Sequence, residues 1–276
     1  MVVIIHHNEI ILKGRNRSYF EKKLIENIKR AFLQEKIEVV SVKRDEARII
    51  CNIQDETNHV ELIKKALMTV FGIKNFAIAV KIPKNIDAIK TQARIYLEIL
   101  KNQNITKIRP ITKRSDKSFP LNSPEINAQI GEIANELGIK VQYKPTIEEI
   151  YTEVTTKSIY MFISRMNGLG GLPQGTAGKV LCLHSGGIDS PVSAYLMMQR
   201  GCQVDYLHFH SLRENKEVIS SKIAAQVKIL NKYQDPGILF TIPYHTYQLK
   251  VLGNINEKYE VVIFRNFMIL LAQKLA

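Results

Sequence analysis

The sequence predicts two α+β units followed by an α/β unit with a parallel sheet. Three observations point there. Apolar runs alternate with amphipathic helical spacing along the 276 residues. After Gly178 the order of elements changes from hairpins and paired helices to strand–helix alternation, which calls for a parallel sheet covered on both faces. Between the two regimes, "NGLGGLPQGTAG" (Asn167–Gly178) holds five of the chain's 14 glycines, the composition of a linker, or of a functional loop close to the motif that follows.

Val2–Ile5 reads as a short buried strand. "NRSYFEKKLIENIKRAFL" then places Phe20, Leu24, Ile28 and Phe32 four apart, the stripe of an amphipathic helix. "ARIICNI" is rich in β-formers, and "HVELIKKALMTVFG" returns to helical spacing with Gly72 as its expected stop. "NFAIAVKI" is a strand. Asn85 is the expected N-cap of the helix that follows. "KIRPITKR" is a strand whose Pro110 predicts an edge position, because proline cannot donate to a ladder. "NSPEINAQIGEIANELG" carries Ser123 as N-cap, Pro124 at the first helical position and Gly138 after the end. "EIYTEVTTKSIYMFISRM" alternates about a Thr-Lys-Ser turn, a hairpin whose Tyr151 and Tyr160 read as core. Beyond Gly178, "KVLCLH", "QVDYLHFH" and "GILFTIPY" are strands. A helix beginning near Ser190 or Pro191, "ENKEVISSKIAAQVKILNKY" and "INEKYEVVIFRNFMILLAQKLA" are the intervening and closing helices. The expected divisions are 1–60, 61–165, a linker at 166–178, and 179–276, the last narrow and incomplete at the C-terminus.

The formal net charge is +13 and the sequence pI about 9.5. That long-range field suits a polyanion. The charge is concentrated: residues 61–165 carry 17 basic against 10 acidic side chains, and within Lys101–Lys117 only Asp116 is acidic. No apolar run reaches the roughly 18–20 residues of a membrane span, and "MVVIIHHNEI" is too short for a signal peptide. Cys51, Cys182 and Cys202 show no framework or metal spacing, so the chain is expected in a reducing, cytoplasmic compartment, the two later cysteines as small core residues.

The chemistry concentrates in "HSGGIDSP", His184–Pro191, between an apolar strand and a helix start. Ligands in open α/β sheets sit beyond the carboxyl ends of the strands, beside helix N-termini. Gly186 and Gly187 let an anion approach the main chain, and the helix N-terminus favours negative charge there. Ser185 and Ser190 add hydroxyl donors. Neither GxxxxGK[ST] nor GxGxxG is present. Asp189 would repel a phosphate directly, so it is expected to bind magnesium or orient a polar group.

S-G-G-x-D-S resembles the signature of the PP-loop ATP pyrophosphatases. The resemblance implies pyrophosphate binding by Ser185–Ser190, with Asp189 needed for catalysis. "NEIILKGRNRSYFEKKLIENI" resembles the opening of the tRNA 4-thiouridine synthetase (ThiI) family, "KRSDKSFPLNSPEINAQIG" resembles that family's THUMP domain, and "HFHS" (His208–Ser211) matches its next strand. The likeness runs the length of the chain in the same order. It implies an N-terminal ferredoxin-like domain, a THUMP domain and a PP-loop (adenine nucleotide alpha hydrolase-like) domain. It also implies ATP and Mg2+ as cofactors, and a tRNA uridine thiolated through an adenylated uracil. Sulfur would arrive as a persulfide from a cysteine desulfurase. By the same resemblance Leu183, His184, His208, Phe209 and Arg265 lie against the nucleotide, together with the loop. A role in thiamine synthesis often accompanies the family, and a homodimer is left open. Asn266 stands where a second arginine is usual, and His7-Asn8-Glu9 where Tyr-Gly-Glu is usual. The chain stops before the family's acceptor cysteine and the rest of its ATP pocket, which leaves a catalytically inactive tRNA-binding module as the alternative.

Lys107, Arg109, Lys113, Arg114, Lys117 and Phe119 are the expected tRNA contacts, in a stretch with the composition of a phosphate-contacting surface. His6 and His7 carry no metal-site spacing. His208 and His210 should face one side of their strand, without the partners zinc needs.

Overall fold

The computed structural model describes residues 1–7, 9–54, 60–144, 148–212, 214–251 and 254–276. In chain order the first elements are β1 (Val2–His7), α1 (Arg17–Gln34), β2 (Val39–Asp45), β3 (Arg48–Ile53), α2 (Val60–Leu67) and β4 (Ile73–Ile82). Then come α3 (Ile86–Asn102), β5 (Lys107–Arg114), α4 (Ser123–Glu136), β6 (Lys140–Val141), β7 (Glu149–Val154), β8 (Ile159–Ile163) and β9 (Met166–Asn167). The last are β10 (Lys179–Leu183), α5 (Asp189–Gln199), β11 (Gln203–His210), α6 (Lys222–Leu230), β12 (Leu239–Pro243), α7 (His245–Val251) and α8 (Glu257–Leu275). Asn8, of the His7-Asn8-Glu9 run, and His59, the expected first residue of the second helix, lie outside the described residues.

The chain divides into two compact units. The first comprises Met1–His7, Phe32–Leu67 and Ile73–Gly168. Its strands run in the order β2-β3-β1-β4-β8-β7-β5-β6, with β9 also on β4. β4 joins the path: it pairs antiparallel with β1 from Ile73 to Ala79, and with β8 from Val80 to Ile82. One apolar layer lies between the strands and helices α3 and α4. There Ile89, Ala93 and Leu97 meet Ile126, Ile130, Ile150 and Met161. A second layer holds Ile4, Ile50, Ala77, Tyr151, Tyr160 and Phe162, so both hairpin tyrosines are core, as expected. β5 is flanked by β7 in parallel and by the two-residue β6, which reaches only Lys107 and Ile108. Arg109 donates its N–H toward β7. Pro110 therefore directs its missing donor to the open edge, where nothing would accept it.

Local signals decide the element ends, and some ends differ from the expectation. Asn85 caps α3, accepting from the Ala88 N–H at 2.7 Å. The cap of α4 is Asn122, one residue before the expected Ser123, because Asn122 and Glu125 complete a reciprocal capping box. α2 ends at Leu67, and Gly72 (φ +96°) serves a later turn instead, its N–H donating to the Gly170 carbonyl at 2.7 Å. The single helix expected from Glu214 is split. A 3-10 turn at Asn215–Ser220 stops where Ser221 caps α6, accepting from the Ile223 N–H. α7 was not expected at all.

The second unit comprises Asn8–Ala31, Met68–Gly72 and Leu169–Ala276. Its sheet is parallel, in the order β10-β11-β12. Ala194 and Met198 of α5 and Val227 and Leu230 of α6 close one face over Val204 and Tyr206. On the other face Phe209 meets Phe264 and Phe267 of α8 edge-on. The glycine-rich segment is ordered rather than a bare tether. Asn27 of α1 donates to the Gln174 carbonyl at 3.0 Å, and Leu172 donates to the Gln199 carbonyl at 2.9 Å. A Cβ on Gly171 would stand 2.3 Å from that same carbonyl oxygen, so only glycine fits.

Candidate active site

Strand β10 ends at Leu183 and hands the chain to a turn at 184–188 that opens α5 at Asp189, slightly ahead of the expected start. The turn is anchored from below. His184 donates its N–H to the Leu207 carbonyl at 2.8 Å, and His208 Nδ1 bonds the His184 carbonyl at 2.7 Å. The His184 ring is buried and meets Gln226 Oε1 at 2.9 Å. Gln226 reaches on to the Gly186 carbonyl at 3.4 Å. Burial is the main force holding His184 and His208 below the ordinary histidine value, so both are neutral near pH 7.

The turn keeps its main chain open. Gly186 takes φ +77°, and a Cβ there would fall 2.2 Å from Ile223 Cδ1. A Cβ on Gly187 would meet only the Ser185 hydroxyl, at 3.4 Å. Ser190 Oγ accepts from the Ser185 N–H at 3.2 Å, and Ser185 Oγ from the Gly187 N–H at 3.3 Å. The first residue before α5, Ile188, provides no side-chain cap. Helix N–H groups without a cap are donors awaiting an acceptor, and an anion answers both them and the helix dipole.

Beside this turn lies a cavity of about 590 Å³ at the carboxyl ends of the three strands. Leu183, His184, Ser185, Phe209 and Arg265, five of the residues expected at a nucleotide, line it. Gly186 and Gly187 lie in the adjacent turn, Asp189 and Ser190 open α5, and His208 lines a smaller pocket that shares Ser185 with this cavity. Tyr244, Tyr247 and Phe264 were not anticipated: they add an aromatic wall in which Tyr247 stacks on Phe267 at 4.7 Å. Their three-residue spacings in "YHTY" and "FRNF" are the sequence signal that would have found them. The cavity's size is that of a small-molecule site. His208 and His210 do face one side, their rings stacked at 6.2 Å. Among the described residues no group of three or more His, Cys, Asp or Glu is placed to hold a metal ion.

The six expected tRNA contacts separate, because β5 alternates. Lys107, Arg109 and Lys113 share one face, and Arg114 points to the other. Arg114 donates to the carbonyls of Phe119 (3.0 Å) and Leu121 (2.5 Å), and Phe119 is 6% exposed in the helix-side core. Both thus brace the loop, and the Phe119 ring is not at the surface to meet a base. Lys117 is exposed, Asp116 pairs with Lys84, and Arg109 pairs with Glu149 at 3.4 Å. Around Lys113 cations converge. Burial and the neighbouring Arg165, with Lys74 and Arg48, hold its ammonium below the ordinary lysine value against the pull of Glu153. Glu153 is 1% exposed and gathers His6 Nε2 (3.0 Å), Arg48 Nε and Arg165 Nη2 (3.4 Å). Burial raises its pKa, but the His6 hydrogen bond and the charges of His6 and Arg48 outweigh that and hold it at about 2.

The class defined by these features is an α/β protein with a glycine turn and a cavity at the ends of a parallel sheet, joined to an α+β unit with a cationic sheet face. Comparison with known proteins makes this specific. The family described as "Thiamine biosynthesis protein (ThiI)" matches residues 175–276, and the "ThiI ferredoxin-like domain" matches residues 2–77. A "Probable tRNA sulfurtransferase" of Thermoanaerobacter sp. (strain X514) is 34% identical over 277 residues, covering 100% of this chain and 70% of its own length. Another from Lactobacillus johnsonii is 33% identical, covering 99% and 67%. Among solved structures, a 4-thiouridine synthetase in complex with RNA and bound ATP superposes with TM-score 0.84 at 28% identity, covering 100% of this chain and 70% of its own. PH1313 from Pyrococcus horikoshii Ot3 gives 0.77 at 28% identity, over 90% and 80%. The chain belongs to the ThiI family of tRNA sulfurtransferases, and its N-terminal portion is that family's ferredoxin-like domain.

Proposed function

We propose that this chain binds ATP at the turn 185–190 and uses it to convert a tRNA uridine to 4-thiouridine. The observation that carries the reading is the open, uncapped glycine turn beside an aromatic cavity at the strand ends. The aromatic wall suits an adenine, and the uncapped N–H groups suit phosphates. Uracil O4 would bond to the α-phosphorus, pyrophosphate leaving with the bridging electron pair and the base losing its N3 proton. The outer sulfur of a persulfide brought by a cysteine desulfurase would then attack C4 and expel AMP. A second thiol would cleave the resulting S–S bond, leaving the thiocarbonyl on a base that regains its N3 proton and a disulfide between the two thiol sulfurs. Fixed N–H donors facing the phosphate oxygens stabilise the charge that builds there. Asp189, in the first turn of α5, fits a magnesium ion held mainly by phosphates, since such an ion takes only one or two protein carboxylates.

The tRNA is gripped, in this reading, by the α+β unit acting as ferredoxin-like and THUMP modules, with Lys107, Lys113 and Lys117 on phosphates. No described helix is long and apolar enough to cross a membrane, and a tRNA substrate fits the cytoplasm. The test is nucleoside mass spectrometry of tRNA incubated with the chain, ATP and a persulfide source. An ATP-dependent 4-thiouridine peak is expected. Binding of tRNA with no thiolation, and no effect of ATP on that binding, would support the inactive-module reading instead.

A further inference from the structure

We propose that the smaller pocket beside Lys222 receives the β- and γ-phosphates of the nucleotide, with Lys222 as their counter-charge; this rests on the ATP reading above. The pocket, about 340 Å³, adjoins the larger cavity at Ser185. Ser185, Phe209 and Tyr244 line both, so one ligand can span them. The two ends differ in chemistry. The larger cavity is mostly aromatic and aliphatic, and its charged groups are the Glu260 carboxylate and the Arg265 guanidinium. The smaller has Ser185, Ser211 and Ser221 hydroxyls and, among the described residues lining it, no acid. A molecule with an aromatic base at one end and a charged tail at the other can lay its base on the aromatic wall and its tail among these hydroxyls.

Lys222 supplies what the turn lacks, since no lysine occurs between Ser185 and Ser190. It is the first residue of α6, and the Ser221 cap fixes its place. Its Cε lies 3.3 Å from where a Cβ on Gly186 would stand, so the side chain runs along the glycine turn. Among the described residues it makes no ion pair, and it is the pocket's one permanent cation. Its charge reaches His208, adding to the forces that keep that ring neutral. His210, 4% exposed, also lines the pocket. Its Nε2 is engaged by Asn215 at 2.7 Å, while its buried Nδ1 has no partner. A buried polar atom without a partner is costly, and a ligand or a water held with it would satisfy it. Were Lys222 merely a solvated helix lysine, its removal would not distinguish ATP from adenosine.

The experiment is calorimetric titration of the full chain with adenosine, AMP and ATP at low salt, for wild type, Lys222→Ala and Lys222→Arg. Lys222→Ala is expected to weaken ATP about 10-fold, as for removal of one charge-assisted hydrogen bond to phosphate. Adenosine and AMP should stay within about 2-fold, and Lys222→Arg should recover most of the ATP affinity. Unchanged ATP affinity in Lys222→Ala, or an equal loss for adenosine, overturns the assignment while leaving the nucleotide reading intact. A wild-type chain that binds no ATP overturns that reading, and this one with it.

Discussion

Two glycines side by side in the turn carry different burdens. Gly186 is required by the fold: its φ of +77° and the 2.2 Å approach of Ile223 exclude a side chain. Gly186→Ala should therefore lower stability by about 1–3 kcal/mol, measured by urea unfolding. Gly187 has room for a methyl against its own protein. Gly187→Ala should leave the unfolding midpoint nearly unchanged, yet weaken ATP by about 10-fold or more if phosphate approaches the main chain there. Asp189→Ala should cut ATP-dependent thiolation by about 100-fold or more while tRNA affinity holds, read from 4-thiouridine yield and filter binding. Glu153 makes the corresponding case for stability. With its carboxyl held at about 2, it contributes stability fully present above the ordinary carboxyl range and lost as pH falls toward 2. Glu153→Gln, which leaves the buried Arg48 guanidinium short of its counter-charge, should cost about 3–5 kcal/mol at neutral pH and flatten that acid limb in urea melts taken against pH.

At the scale of elements, strands and helices were legible where apolar periodicity was strong, as in α1, α3, α8 and the parallel strands. Their ends were set by side-chain chemistry that spacing alone misreads. Asn122 won the α4 cap from Ser123 because only it sits three residues before the Glu125 amide and carboxylate together. Asn122→Ala should thus cost about 1 kcal/mol in thermal unfolding, and Ser123→Ala much less. Ser221 broke what periodicity read as one helix, and in doing so placed Lys222 against the glycine turn. The S-G-G-x-D-S stretch was readable as a strand-to-helix turn because it lies in a contiguous run. Gln226 was not, since it reaches the turn from a separate helix, and the spacings in "YHTY" and "FRNF" mark the aromatic residues without saying that separate elements bring them to one cavity. The basic patch was over-read for a similar reason. Charge along a sequence does not say which face of a strand it occupies, and the alternation of β5 turned Arg114 inward.

For the whole molecule, the formal charge of +13 is a statement about partners, and ion release gives it a number. Binding of tRNA should weaken steeply with salt, and neutralising Lys107 and Lys113 together should reduce the slope of log K against log salt by about one for each phosphate no longer engaged. An unchanged slope would move the RNA surface away from β5. The central claim is that the turn between β10 and α5 holds the phosphates of ATP. A structure determined with ATP bound tests it most directly. The adenine is predicted against Phe209 and Phe264, with phosphate oxygens within hydrogen-bond distance of main-chain amides between Gly186 and Ser190. A nucleotide seated elsewhere, or that turn filled by the protein's own side chains, would contradict it.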